Sequence, residues 1–319
     1  MMKQLLIPAF CFLFITHSFA QAPKKLEATQ DTNYIKLLAA KWSFRLHAIT
    51  KYNQFIYSGP GFAASYKPDV KIAFGIGASY KNLALDLGLN LISTDPEHKS
   101  KNLALLSSMY FGPHVMEITA QLYQHYSDDV SDKNEELLSD QFRPDIHTIN
   151  LGLNYNYNFN HRKFSFDAAS IGTQIQKRSA GTPLAGAFLT YFNLDADSTI
   201  IASEFANPDA MIAKANLFSG GISAGYAYIF VLPAHLYVML SLTPKLALNA
   251  GNAETNTNHA IPVNISPGLL TRDAIGYSGN RFYGFISLLA DYNSLKTEEG
   301  NHFSYDPVKL KMLLGYRFN

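Results

Sequence analysis

The sequence predicts an all-β fold, a transmembrane antiparallel β-barrel of about fourteen strands with twelve as the alternative count. Three stretches carry that expectation. From Ile149 to Phe159, Ile149, Leu151, Leu153, Tyr155, Tyr157 and Phe159 occupy one face of an extended chain, and Asn150, Asn154, Asn156 and Asn158 occupy the other. A wall that is apolar on one side and amide-rich on the other suits a strand between lipid and a wet lumen. Leu83, Leu85, Leu87, Leu89 and Leu91 alternate with Ala84, Asp86, Gly88 and Asn90. At helical spacing these leucines scatter around the axis, so a helix is excluded. Near the end of the chain, Val308, Leu310, Met312, Leu314, Tyr316 and Phe318 alternate with Lys309, Lys311 and Arg317. An amphipathic last strand with a near-terminal aromatic is the kind of ending that outer-membrane assembly machinery reads.

The chain opens with Lys3, an apolar run from Leu5 to Ile15, and small residues at Ser18 and Ala20. That is a secretory signal peptide, residues 1–20. Cys11 lies inside the apolar run and leaves with it, so the mature chain has no disulfide. Removing Lys3 leaves 25 basic residues against 25 acidic. A neutral chain has no basic surface for nucleic acid. Residues 21–40 read as a periplasmic lead-in and residues 41–319 as the barrel.

The strands follow in order. In residues 41–50, Trp42, Phe44, Leu46 and Ala48 oppose Ser43, Arg45 and His47. Residues 52–69 carry turn chemistry without a clean period and read as a loop with strand extensions. Residues 71–80 place Ile72, Phe74 and Ile76 outward and Lys71, Gly75 and Gly77 inward. Further strands are expected at 83–91, 102–111, 115–126, 147–159, 163–173, 184–194, 198–205, 215–230, 235–248, 263–277, 282–292 and 305–318. Asp86 and Glu117 fall inward, as they must, since a charge facing lipid at mid-depth costs on the order of 2–4 kcal/mol. Short turns at 81–82, 112–113, 161–162, 195–197, 231–234 and 278–280 share one side. The connection at 176–182 and the longer loops, at 51–69, 94–101, 127–145, 207–214, 249–262 and 294–304, share the other. This is the asymmetry of an outer-membrane barrel.

The turn Tyr66-Lys67-Pro68-Asp69, the run Gly75-Ile76-Gly77-Ala78-Ser79-Tyr80-Lys81, the run Ile275 to Tyr283 and the ending Gly315-Tyr316-Arg317-Phe318 resemble an uncharacterised Bacteroidota family of exported outer-membrane β-barrels that carries a domain of unknown function. The resemblance implies a barrel in the bacterial outer membrane and assigns no activity, so no functional residue transfers.

Gly221-Ile222-Ser223-Ala224-Gly225 matches the serine-hydrolase elbow, but the motif needs a turn and a following helix. Here it sits inside a strand, and His235 lies too far from Ser223 for a nucleophile and its base. No catalytic residue is assigned; a lipid-modifying enzyme stands only as the remotest alternative. Asp128, Asp129, Asp132, Glu135, Glu136 and Asp140 crowd one loop without EF-hand spacing, a weak metal candidate. The histidines have no ligand spacing, and no cofactor is implied. The candidate site is the lumen lining: Arg45, Lys71, Asp86, Glu117, Asn150, Asn154, Asn156, Asn158, Asp167, Asp291, Lys309, Lys311 and Arg317. These groups either pair with one another and close the barrel or line a path for a small polar solute. The expected role is a porin-like pore or binding barrel, or a structural envelope component, monomeric in the lipid bilayer. An accessory barrel for protein secretion or surface display is the alternative.

Overall fold

No backbone N–H or C=O can stay unpaired in hydrocarbon, so strands with one lipid face must close into a ring. The computed structural model describes residues 30–59, 61–68, 72–92, 101–132, 137–139, 141–201, 211–254, 258–296 and 301–318. The expected leader, most of the lead-in, Lys71, Glu135, Glu136 and Asp140 lie outside the described residues. The strands are β1 (Ile35–Leu37), β2 (Trp42–Gly59), β3 (Phe62–Pro68), β4 (Ile72–Tyr80), β5 (Leu83–Ile92), β6 (Lys101–Phe111), β7 (His114–Asp132), β8 (Leu137–Ser139), β9 (Phe142–Asn158), β10 (Gln174–Gln176), β11 (Ala180–Asp195), β12 (Lys214–Val231), β13 (Leu236–Glu254), β14 (Asn258–Ser278), β15 (Phe282–Tyr292), β16 (Ser294–Lys296) and β17 (His302–Phe318). Twelve of them form an antiparallel ring, in the order β2, β4, β5, β6, β7, β9, β11, β12, β13, β14, β15, β17, and β17 closes on β2 with Phe318 opposite Trp42.

The ring thus holds the alternative count of twelve rather than fourteen. Residues 163–173 are not a strand. The Ser165 hydroxyl accepts the N–H of Ala168 and starts a short helix, Phe166–Ser170, and a serine N-cap outweighs the brief alternation of Phe164 and Phe166. Asp167 therefore sits on this helix and not on the wall. Residues 198–201 are irregular as well: the neighbours Ile200 and Ile201 are both 1% exposed, whereas a strand of the wall would send one of them to lipid. Residues 202–205 lie outside the described residues. Losing one strand on either side of β11 reverses β11 alone and leaves the direction of every other strand unchanged, so the loop-length asymmetry is nearly blind to the error. Only the connections at 176–182 and 195–197 exchange ends.

The outward faces are as the alternation requires. Trp42, Phe44, Leu46, Leu85, Leu87 and Leu151 are exposed, while Ser43, Arg45, Asp86 and Asn150 are buried. On β15 the exposed Phe282 and Tyr292 bound an eleven-residue strand, which at ~3.3 Å per residue and a tilt of ~40° rises about 25 Å, the height of a lipid-facing band. Rings cluster at the end where the ring begins and finishes, with Trp42 4.6 Å from Tyr80 and Phe44 5.5 Å from Phe318. We call this the terminus end and the opposite one the loop end. Toward the loop end, Gln124, His147, Asp195, Lys214 and Glu254 are register partners across five adjacent strands. This polar row marks where the apolar band stops.

Beyond the row the wall inverts. Residues 52–59 extend β2, and β3 returns against them and against β7, so the expected strand extensions take up most of this segment and form a hairpin, leaving little of the expected loop. Its apolar residues Phe55 and Tyr57 point inward, where Arg45 and His47 point lower on the same strand. The change from lipid to water outside reverses the alternation, which hides the strand from a single-period reading.

Candidate functional site

The bore has three layers. In the middle is a polar belt. Arg45 on β2 donates through Nε to Asp86 Oδ1 at 2.6 Å, and Lys311 on β17 donates through Nζ to Asp86 Oδ2 at 2.6 Å. Gly77 lies directly opposite Asp86 on β4, and a Cβ there would collide with the Asp86 carboxylate and the Arg45 side chain. Only glycine lets the wall carry this triad. Arg272 on β14 reaches across the bore to Glu117 on β7, five strands away around the ring, at 2.5 and 3.0 Å. Lys245 on β13 bonds Asp291 and Asn293 on the β15 side and lies 4.5 Å over the Phe188 ring. Lys309 is 9% exposed and has no ion-pair or hydrogen-bond partner among the described residues. Among the described residues, five cations of this belt thus face three carboxylates.

At the loop end the wall's own aromatics fill the bore. Phe55 stacks on Tyr66 at 4.4 Å and lies 5.8 Å from Phe303, and Phe192 lies 4.6 Å from Tyr305. Below them Asn150 on β9 donates to Gln121 at 3.0 Å and to the Tyr305 hydroxyl at 2.9 Å. Tyr305 lies on β17, diametrically opposite β9 in the ring. Ile200 and Ile201 cap this cluster, and the Tyr66 hydroxyl donates to the Ile200 carbonyl.

At the terminus end a separate segment fills the bore. The chain between β9 and β11 turns inward through the helix to β10, which pairs with β1 of the lead-in. Phe164, Phe166 and Ile171 pack against Tyr110, Tyr237 and Tyr283. The wall grips this segment by its carbonyls. Arg317 donates to Gly172, while also holding Gly279 of the wall's own β14–β15 turn, Tyr237 donates to Ala169 at 3.1 Å, Arg45 to Ile171 at 3.4 Å and Asn158 to Phe164 at 3.1 Å. Asp167 accepts the backbone N–H of Thr173 at 2.9 Å and its hydroxyl at 2.5 Å. Burial pushes the Asp167 carboxyl up to about 6, against the lowering effect of the Thr173 bonds.

The structure therefore brings Arg45, Asp86 and Lys311 together, and separately joins Asn156 to Asn154 at 2.9 Å. Glu117 and Asp291 meet Arg272 and Lys245, which the sequence reading missed although both occupy inward register positions on strands it had placed. Asn150 serves the loop-end cluster, and Asn158, Asp167 and Arg317 serve the terminus-end segment. Ser223 faces inward opposite Lys245 while His235 lies in the exposed turn beyond Val231, so the structure does not bring this pair together. The acidic residues expected in a loop at 127–145 begin on a strand instead: Asp128, Asp129 and Asp132 belong to β7, where Asp128 accepts the Gln141 N–H at 2.7 Å and Asp129 pairs with Lys67 at 3.8 Å. Asp132 stands opposite Phe62, and no three potential ligands converge on a metal position among the described residues.

The family described as Domain of unknown function (DUF4421) matches residues 29–318, which takes in the ring and both bore-filling regions. The chain belongs to that family. No curated protein matches it. Among solved structures it is similar to the β domain of the Bordetella autotransporter Brka, with 10% identity, 87% of this chain and 100% of that chain covered, and a TM-score of 0.40. It is also similar to OmpT of Vibrio cholerae, with 9% identity, 87% and 97% coverage and a TM-score of 0.32. The P. putida toluene transporter TodX is similar at 8% identity, 88% and 90% coverage and a TM-score of 0.32.

Proposed function

We propose that this family member is a monomeric, non-conducting barrel of the bacterial outer membrane, exported by its leader and inserted by the outer-membrane assembly machinery. In this reading it serves as a structural envelope component that holds its loop end rigidly at the cell surface. The observation that carries the reading is the layered bore, with apolar fillings at both ends and the Glu117–Arg272 pair bridging the middle. The Bacteroidota origin rests on the resemblance of the aromatic-glycine motifs alone. Orientation follows from the short turns and both ends of the ring sharing one side, which we assign to the periplasm. We assign no reaction and no cofactor.

The retention of a small polar solute inside the belt is a second reading, favoured by the ammonium of Lys309, which makes no ion pair or hydrogen bond among the described residues, and by Asn156 Oδ1, buried without a hydrogen-bond partner among them. The orientation is tested in intact cells with a membrane-impermeant maleimide. A cysteine at Asn252, exposed at the loop end, labels, and one at Asn280, in a terminus-end turn, labels only after lysis. The reverse pattern overturns the proposed surface role.

A further inference from the structure

Between the terminus-end segment and the barrel wall lies a cleft of about 390 Å³, within the ~300–1,000 Å³ range of small-ligand sites. Its floor is apolar and buried: Ala168 and Ala169 of the helix, Ile175 of β10, and Ile229 and Tyr237 of the wall. Lys36, Lys177 and His235 stand at its exposed edge, and among the described residues no Asp or Glu lines it. Lys36 donates to Asn280 at 2.8 Å and Lys177 to the Thr32 carbonyl at 2.8 Å, so both ammonium groups are held near the cleft without an anionic partner among the described residues.

One flank of the cleft is the β12–β13 turn. There Ala234 and His235 both hold positive φ, 58° and 61°, a conformation costing of order 1–3 kcal/mol for each such residue. The turn is closed by the Leu232 N–H on the Leu236 carbonyl at 2.9 Å. It leaves Leu232 and Leu236 each 43% exposed at the cleft. These leucines continue the lipid-facing row of β12 and β13, whose last ring here is Phe230. The cleft therefore opens where the bilayer surface meets the terminus end, with an apolar floor and a cationic edge.

We infer that this cleft holds an anionic phospholipid of the adjoining leaflet, one acyl chain lying on Ala168, Ala169 and Ile175 and the phosphate on Lys36 and Lys177, beside His235. The shape excludes a bare anion, which has no use for the apolar floor. The charge disfavours a zwitterionic head group, whose ammonium would meet lysines. The inference is independent of conductance, so its failure would leave the closed-barrel reading standing.

The test uses the full mature chain in detergent, with folding checked by heat-modifiable migration. Native mass spectrometry is expected to find one phosphatidylglycerol retained per barrel in preference to phosphatidylcholine. Lys36→Glu combined with Lys177→Glu weakens that binding by about tenfold or more, the scale of one lost charge-assisted contact. A phosphatidylglycerol carrying a diazirine at the chain end crosslinks to peptides containing Ala169, Ile175 or Ile229. Crosslinks confined to the outward leucines, or affinity unchanged in the double variant, overturn the inference. So does displacement of the lipid by millimolar inorganic phosphate alone, or by an acidic peptide in its place.

Discussion

The two ends of the bore are filled by different means. At the loop end the filling is the wall itself: Phe55, Tyr66, Tyr126, Phe192, Phe303 and Tyr305 are side chains of strands in the ring or paired to it. At the terminus end the filling is an inserted segment, residues 163–176, which touches the wall through carbonyl hydrogen bonds and two phenylalanines. A filling that belongs to the wall cannot leave without unfolding the barrel. An inserted one can withdraw at the cost of its own contacts, as a local opening. The two lie in series, so loosening the inserted segment alone leaves the bore closed.

The largest expected effect comes from breaking the wall-borne filling. Phe55→Ala removes a fully buried ring and is expected to cost about 3–5 kcal/mol, read as a lower urea midpoint for the whole barrel. Phe164→Ala deletes the same volume at the other end. It is expected to leave that midpoint nearly unmoved and to speed hydrogen exchange and proteolysis of residues 163–176 instead. Equal shifts in both variants would erase the distinction.

Next comes pH. The Asp167 carboxyl titrates at about 6 in the folded chain against ~3.9 unfolded. The native state therefore binds the extra proton between those values. Docking of the inserted segment is strongest below the lower value, weakens as pH rises through the window, and is constant above it. The total is on the order of 2–3 kcal/mol. Exchange of residues 163–176 is expected to accelerate from pH 4 to pH 7 beyond the intrinsic rate, and Asp167→Asn to flatten the profile.

How much of this was legible in the sequence follows the solvent on each side of the wall. Where lipid lay outside and polar groups inside, as from Trp42 to His47 and from Leu151 to Asn158, a single alternation named both faces. Past the polar row through His147 and Lys214 the outside is water, the apolar residues turn inward, and Phe55 and Tyr57 lost their strand. The helix was within reach through Ser165 and the acidic Asp167 two residues later, a cap signature that two alternating phenylalanines overrode. The pairing of Glu117 with Arg272 was not legible, because it depends on which strands face each other across the ring, and that changes with the strand count.

A smaller effect is expected from Arg317→Met, which strips the carbonyls of Gly172 and Gly279 of their charged donor. Bonds to charged groups are worth ~1.5–3 kcal/mol. About 2 kcal/mol lost from docking would speed exchange of the inserted segment roughly thirtyfold, with the loop-end amides unchanged. The smallest is Lys309→Met. A buried cation that makes no ion pair or hydrogen bond among the described residues loses little when removed, so the change is expected to be neutral or stabilising within about 1 kcal/mol. A loss of the size expected when a paired buried charge is stripped, ~3–5 kcal/mol, would show that Lys309 is committed to something that holds the barrel together.

The most direct measurement is single-channel recording from the mature chain in planar bilayers, on protein whose folding has been checked by heat-modifiable migration. Two fillings in series around a bridged polar belt predict an intact membrane without discrete current steps, at neutral pH and in Arg317→Met alike. Reproducible steps from the wild-type chain would contradict the account, since ions would then be passing the aromatic layer between Phe55 and Tyr305.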